Sequence, residues 1–371
     1  MLGKSFFSIS YDLIVSEGRA PYDLYVNSSS IEKKQKFIKI YPEGEFLTKK
    51  DLENFKEKYL QLYVEESQRK KYMRSLTELG GGQEAAANFI KDSTVQYLQK
   101  IFDDEKEFTT EILEVTIGEC RFAVESMVDV LGSYDINSIT GLIGGLSTHD
   151  FYTFDHSINV SMYCISILKG LKPTATREEL VHIGLGGLLH DLGKIKIPTN
   201  ILNSPEGLTS DEYEIIKQHP TYGIDLLTSG SVKVADDLDL GIIGRVVHEH
   251  HENWDGNGYP NKIKEKEIHL YARICTIADF FDAITTKRSY SDVLTISQAL
   301  GVMGKFSGVK LDPNLFKAFA AHVEHHKIES RDDLKLADSF DPTIPYEKLP
   351  LEEIEKMFEE ENFGKIRLSD N

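Results

Sequence analysis

The sequence predicts a mainly α protein: a C-terminal all-α helical bundle preceded by a small α/β N-terminal domain and a helical linker. Three observations lead there. Residues 1–79 mix short aromatic and β-branched runs with a helix-like segment. Residues 80–132 carry apolar positions at helical spacing. From about residue 133 nearly every periodic segment repeats at three to four residues. A length of 371 residues, 40% of them hydrophobic, suits several domains with sizeable cores.

In the first domain, Tyr22–Asn27, Lys36–Tyr41 and Leu60–Glu66 read as strands, with "PEGE" as a turn between the last two. Thr48 caps the segment "TKKDLENFKEKY", with Asp51 placed as the reciprocal capping acid. No catalytic constellation occurs in residues 1–79, which points to a sensory or interaction role. Gly80–Gly82 reads as a hinge, because no phosphate-loop motif follows. Phe89, Val95, Leu98 and Ile101, then Ile112, Val115, Phe122 and Val128, mark two long helices, a candidate homodimer element. Residues 133–330 are the bundle, with Thr176–Glu179 and Thr209–Glu212 as capping boxes. Residues 331–371 form an acidic, proline-interrupted C-terminal tail.

Composition narrows the function. Sixty acidic against 42 basic residues give a formal charge of -18, which argues against a nucleic-acid polymer as partner. A small anionic ligand remains compatible if cations gather in one pocket. Cys120, Cys164 and Cys275 are scattered and odd in number, a reduced, cytoplasmic pattern. The N-terminal apolar run is broken by Asp12 and makes a poor signal peptide; no apolar stretch is long enough for a membrane.

Histidine and aspartate concentrate at predicted helix ends. His190-Asp191 end one helix, His219 the next, and His250-His251 a third; His156 lies in the first helix of the bundle. Asp279 and Asp282, three residues apart, share a helix face. Any one of these alone is most simply a hydrogen-bonded structural residue. Jointly they suggest a metal site, because buried imidazole and carboxylate are costly unless paired or ligated. Mixed His/carboxylate ligands suit Fe, Mn or Zn, and Asp191 has the two oxygens needed to bridge a pair of ions. His322, His325 and His326 imitate the paired motif but lack the Asp-Gly turn, and Trp254 reads as a packing residue.

"HDLGK" at His190–Lys194 and "HHENWDGNGYP" at His250–Pro260, with "LTSDEYEIIKQHP" between and "ARICTIADFFDAITTKRSY" after, resemble the HD-GYP family of the HD phosphohydrolase superfamily. The resemblance covers roughly Ser133–Ala321. It implies a metal-dependent phosphodiesterase that hydrolyses cyclic di-GMP to pGpG or GMP with a metal-bridged hydroxide. Carried over by position, His156, His190, Asp191 and Asp279 hold one ion, and Asp191, His219, His250 and His251 the other. Glu252 and Asp282 stand behind the ligands. Lys194 is a catalytic and substrate-binding lysine, and Arg288 a substrate contact. The implied cofactors are two divalent ions, Fe or Mn, with Zn, Ni or Mg as substitutes. A third-metal glutamate found in some members is replaced by Tyr152, so two ions are expected. Ser289 and Ser291 stand where the family has a proline and a basic residue. That departure keeps two alternatives open: a catalytically weak cyclic-dinucleotide sensor, or a phosphohydrolase of another cyclic dinucleotide. The Gly258-Tyr259-Pro260 loop reads mainly as scaffold, with protein docking as a lesser role.

Overall fold

The computed structural model describes residues 5–28, 36–76, 83–99, 109–131, 152–202, 208–229, 232–234, 237–286 and 294–324. The described residues up to Gln96 cluster with Phe122–Leu131, while Tyr97–Arg121 cluster with those from Tyr152 onward. The Gly80–Gly82 hinge, the residues 331–371 tail, and Arg288, Ser289, Ser291, His325 and His326 lie outside the described residues, as do the side chains of Tyr152 and His322.

The N-terminal unit is built on a four-stranded antiparallel sheet in the order β1-β6-β3-β4, with β1 Phe6–Ile9, β3 Leu24–Asn27, β4 Phe37–Tyr41 and β6 Leu62–Glu65. A short ladder pairs β2 (Gly18–Arg19) with β5 (Phe46–Leu47). The first apolar run, read only as a poor signal peptide, contains β1, whose period-2 pattern buries Phe7 and Ile9 while Ser8 stays exposed. Helix α1 (Lys49–Lys58) starts at Thr48, whose side chain accepts the Asp51 N–H while Asp51 accepts the Thr48 N–H. Helices α2 (Arg69–Leu76) and α3 (Gln83–Gln99) bring Tyr72 and Phe89 against Phe7, with ring centroids 4.6–5.7 Å apart. Arg69 is buried over the Phe7 ring, which is tolerable because Glu66 and Ser93 accept its N–H hydrogen bonds.

The second unit is helical. It takes the first part of α4 (Thr110–Leu131), and then α5 (Tyr152–Leu171), α6 (Arg177–Leu189), α7 (Thr199–Leu202), α8 (Ser210–Ile216), α9 (His219–Thr228), α10 (Leu240–Glu249) and α11 (Leu270–Thr285). Two further helices, α12 (Ile296–Lys305) and α13 (Pro313–Glu324), close the bundle. The boxes at Thr176 and Thr209 form, and a third forms at Thr295 with Gln298. α5 packs along α6 and α11, while α10 lies against α6 and α9. α5 and α6 approach closely because a Cβ at Gly187 would lie only 3.0 Å from Cys164 Sγ and 3.1 Å from Ser161 Cα. Among the described residues no helix is long and apolar enough to cross a membrane.

One boundary differs from expectation. His219 does not end α8; it opens α9. Pro220 supplies no N–H and its ring would clash with the preceding turn, so the chain breaks at Lys217–Gln218 and starts a new helix.

Candidate metal centre

Five segments converge. α5 delivers His156; the end of α6 delivers His190 and Asp191, followed by a tight turn at Leu192–Lys196. α9 begins with His219, α10 ends on His250-His251, and α11 contributes Asp279 and Asp282. The turn after Asp191 passes so close to α9 that a Cβ at Gly193 would overlap the His219 carbonyl, so only glycine lets Asp191 approach this imidazole.

The imidazoles are oriented from behind. Nδ1 of His190 donates to Gly187 O (2.7 Å), that of His219 to Ile216 O (2.8 Å) and that of His250 to Val247 O (2.9 Å). Each proton is thereby fixed on Nδ1, and each Nε2 turns a lone pair inward. His219 Nε2 and His250 Nε2 then face each other at 3.3 Å with no proton between them. Two lone pairs in that position repel unless a cation lies between. His156 Nδ1 donates to Asp282 Oδ2 at 2.7 Å, and its Nε2 stands 3.0 Å from Asp279 Oδ1. The second contact lacks hydrogen-bond alignment, so Asp279 Oδ1 is buried without a donor.

Asp191 stands between the imidazoles. Its Oδ2 lies 3.3 Å from His190 Nε2, and its Oδ1 3.3 Å from His219 Nε2. Ligand atoms of His156, His190 and Asp191 fall within 4.8 Å of one another, as do those of His219, His250 and His251. Separations near 3.0–3.4 Å are the edges of a coordination shell with bonds of about 2.0–2.2 Å. The donor set therefore suits divalent metal ions on both sides of Asp191.

Electrostatics separate the two sides. Burial pushes His219 down to about 3 and His250 to about 4, with the nearby carboxylate charge opposing incompletely; His251 is pushed well down too. These rings are neutral at ordinary pH. Burial also disfavours charge on His156, but Asp279 and Asp282 outweigh it and raise the ring to about 9. Burial would raise Asp279, yet His156 holds it at about 2. Asp191 is likewise held ionised against burial, with Lys194 Nζ 2.6 Å from its Oδ2.

The sequence-predicted residues divide as follows. His156, His190, Asp191, His219, His250, His251 and Asp279 come together, with Lys194 on Asp191 and Asp282 behind His156. Glu252 is buried and accepts the Asn261 N–H at 2.6 Å, which orders the loop after the paired histidines. Trp254 sits beneath the Arg273 guanidinium, which pairs with Asp312, as a packing residue would.

Sequence reasoning missed two supports, Asn159 and Thr276, and read Tyr259 only as part of a scaffold loop. Asn159 donates to Asp282 at 2.9 Å; it lies one turn after His156 on an apolar helix, which was the available signal. Thr276 donates to the His250 carbonyl at 2.7 Å. Tyr259 stacks on His251, with centroids 4.7 Å apart and planes 24° apart, while its N–H donates to the His251 carbonyl.

The chain was compared with known proteins. Residues 146–315 match the HD domain family. A cyclic di-GMP phosphodiesterase of Pseudomonas aeruginosa is 35% identical over 188 residues, covering 50% of this chain and 43% of that protein. A 3'3'-cGAMP-specific phosphodiesterase of Vibrio cholerae is 30% identical over 227 residues, covering 60% of this chain and 42% of that protein. The chain thus matches less than half the length of these relatives. An HDG"Y"P protein from Bdellovibrio bacteriovorus shares the fold, with a TM-score of 0.51 at 18% identity over 85% of this chain and 98% of that one. With the HDLGK and HHENWDGNGYP segments inside the matched region and their histidines gathered around Asp191, this chain carries an HD domain over residues 146–315 and is similar to proteins named cyclic di-GMP and 3'3'-cGAMP phosphodiesterases.

Proposed function

We propose that this chain is a metal-dependent phosphodiesterase of cyclic dinucleotides, with cyclic di-GMP as substrate and pGpG or GMP as product. The observation that carries the reading is the row of inward lone pairs on His190, His219 and His250 beside the ionised Asp191. In this reading His156, His190, Asp191 and Asp279 hold one divalent ion, and Asp191, His219, His250 and His251 a second. Fe or Mn suits the mixed donors, and Zn, Ni or Mg can substitute. Bound there, the ions supply an activated water at neutral pH and neutralise charge gathering on the phosphoryl oxygens.

The chain's own residues do the rest. Asp191, its carboxyl held well below the usual carboxylate range, would offer ionised oxygens to both ions. Asp282 and Asn159 fix the His156 ring plane. Lys194, held at Asp191, directs its remaining N–H bonds to a non-bridging phosphoryl oxygen or donates a proton to the departing 3′ oxygen. Arg288 forks onto a phosphate or a guanine edge. Residues 1–79 sense a signal or bind a partner, residues 80–132 carry it through a homodimeric helical linker, residues 133–330 are catalytic and residues 331–371 form the tail. A second messenger as substrate places this work in the cytoplasm, with neither membrane nor nucleic-acid polymer as partner. The Gly258-Tyr259-Pro260 loop is a secondary candidate for protein docking.

The test is cleavage of cyclic di-GMP by protein loaded with Mn or Fe under anaerobic conditions, followed by product chromatography. Turnover abolished by Asp191→Ala supports the proposal. Tight binding with no product after prolonged incubation favours a sensor. The Vibrio relative gives a specific reason to include 3'3'-cGAMP, and faster cleavage of that dinucleotide would move the substrate assignment without moving the chemistry.

A further inference from the structure

The paired histidines follow directly on the last residue of α10, with His250 as its C-cap. Glu249, the last residue of α10, is 6% exposed and belongs to none of the groups assigned above. Its Oε1 accepts from Arg245 Nε at 2.6 Å. Its Oε2 accepts from Arg245 Nη2 at 3.2 Å and from the backbone N–H of His269 at 2.7 Å. Arg245 Nη2 also donates to the Glu267 carbonyl at 2.8 Å. His269 is the N-cap of α11, and its ring accepts the Tyr271 N–H. The carboxylate therefore ties the last turn of α10 to the first turn of α11. A second tie follows one residue later, from Thr276 Oγ1 to the His250 carbonyl.

α11 is the helix that carries Asp279, whereas His250 and His251 continue directly from the end of α10. Adjacent helical residues point about 100° apart. Glu249 can thus face the start of α11 while His250 faces inward. We propose that Glu249, braced by Arg245, is a positioning residue: it sets the height and rotation of the His250-His251 pair relative to α11 and so tunes metal affinity at the imidazole-rich group. This rests on the two-ion reading of the site.

Calorimetric titration of the EDTA-stripped full chain with Zn(II) tests it. The wild type takes up two equivalents. Glu249→Ala is expected to weaken one of them by about 10–100-fold, the range for partners that orient metal ligands, and to leave the other unchanged. Glu249→Gln, which keeps an acceptor for the His269 N–H, restores part of that loss. Should Glu249→Ala fail to fold, Arg245→Ala removes only the exposed brace and is expected to weaken the same equivalent by a smaller factor. Two unchanged equivalents in these variants, or equal loss of both alongside a lowered Tm with no rescue by glutamine, overturns the inference while the proposed function stands. A wild type that never binds a second equivalent takes both down.

Discussion

The two sides of Asp191 are built from similar residues yet behave differently. On one side His219 and His250 are buried and neutral with their lone pairs facing each other, and the half-buried His251 beside them is held neutral too. On the other, His156 is wedged between Asp279 and Asp282 and keeps a proton until about pH 9. The difference comes from carboxylates, not from burial, which acts on every ring. An ion entering the imidazole side meets ligands already deprotonated; one entering the carboxylate side must first displace the His156 proton. Softer ions should favour the first side, harder ones the second.

Four outcomes break or sharpen this contrast. The largest belongs to the residue both sides share. Asp191→Ala is expected to remove both ions and to lower turnover by about a thousandfold or more, the several kcal/mol that charge neutralisation provides; metal analysis and product chromatography read both. Next comes pH. In metal titrations, apparent affinity on the His156 side should climb about tenfold per pH unit up to pH 9, because each binding event releases one proton. Affinity on the imidazole side should stay flat above pH 5.

The stability of metal-stripped protein carries the same signature with opposite signs. His156 is raised in the folded state, so its contribution is complete below pH 6.5 and is lost as pH rises through about 9. His219 and His250 are depressed, so below pH 6.5 the unfolded chain takes up protons that the folded one refuses, and stability falls toward pH 4. Thermal melts across pH 4–10 should therefore peak near 6.5, and a Tm still rising at pH 9 would contradict the His156 assignment.

The third outcome is Asp282→Asn, expected to weaken the His156-side ion by about 10–100-fold with the other side intact, as read by titration. The smallest is Tyr259→Leu. Loss of the stack on His251 should weaken the imidazole-side ion by no more than about tenfold, the scale of one aromatic contact.

Much of this was legible in the chain. Capping boxes at Thr48, Thr176 and Thr209 are local and read directly, as do the helical stripes. The candidate ligands were legible only jointly, from imidazole and carboxylate recurring at apolar helix ends, and their division between two ions only through the HD-GYP resemblance. What escaped depends on tertiary placement. β1 is four residues long and is recognisable mainly by its pairing with β6. Pro220 sits beside His219 in the sequence, yet the apolar pattern runs through the break it causes. Glu249 and Asn159 look like ordinary helix residues until α11 is set beside them.

Anomalous diffraction at the absorption edge of the bound metal, from crystals of the loaded protein, tests the central claim most directly. The account predicts two peaks, one against His156, His190 and Asp279 and the other against His219, His250 and His251, each in contact with a different oxygen of Asp191. A single peak, or peaks that leave Asp191 untouched, would contradict it.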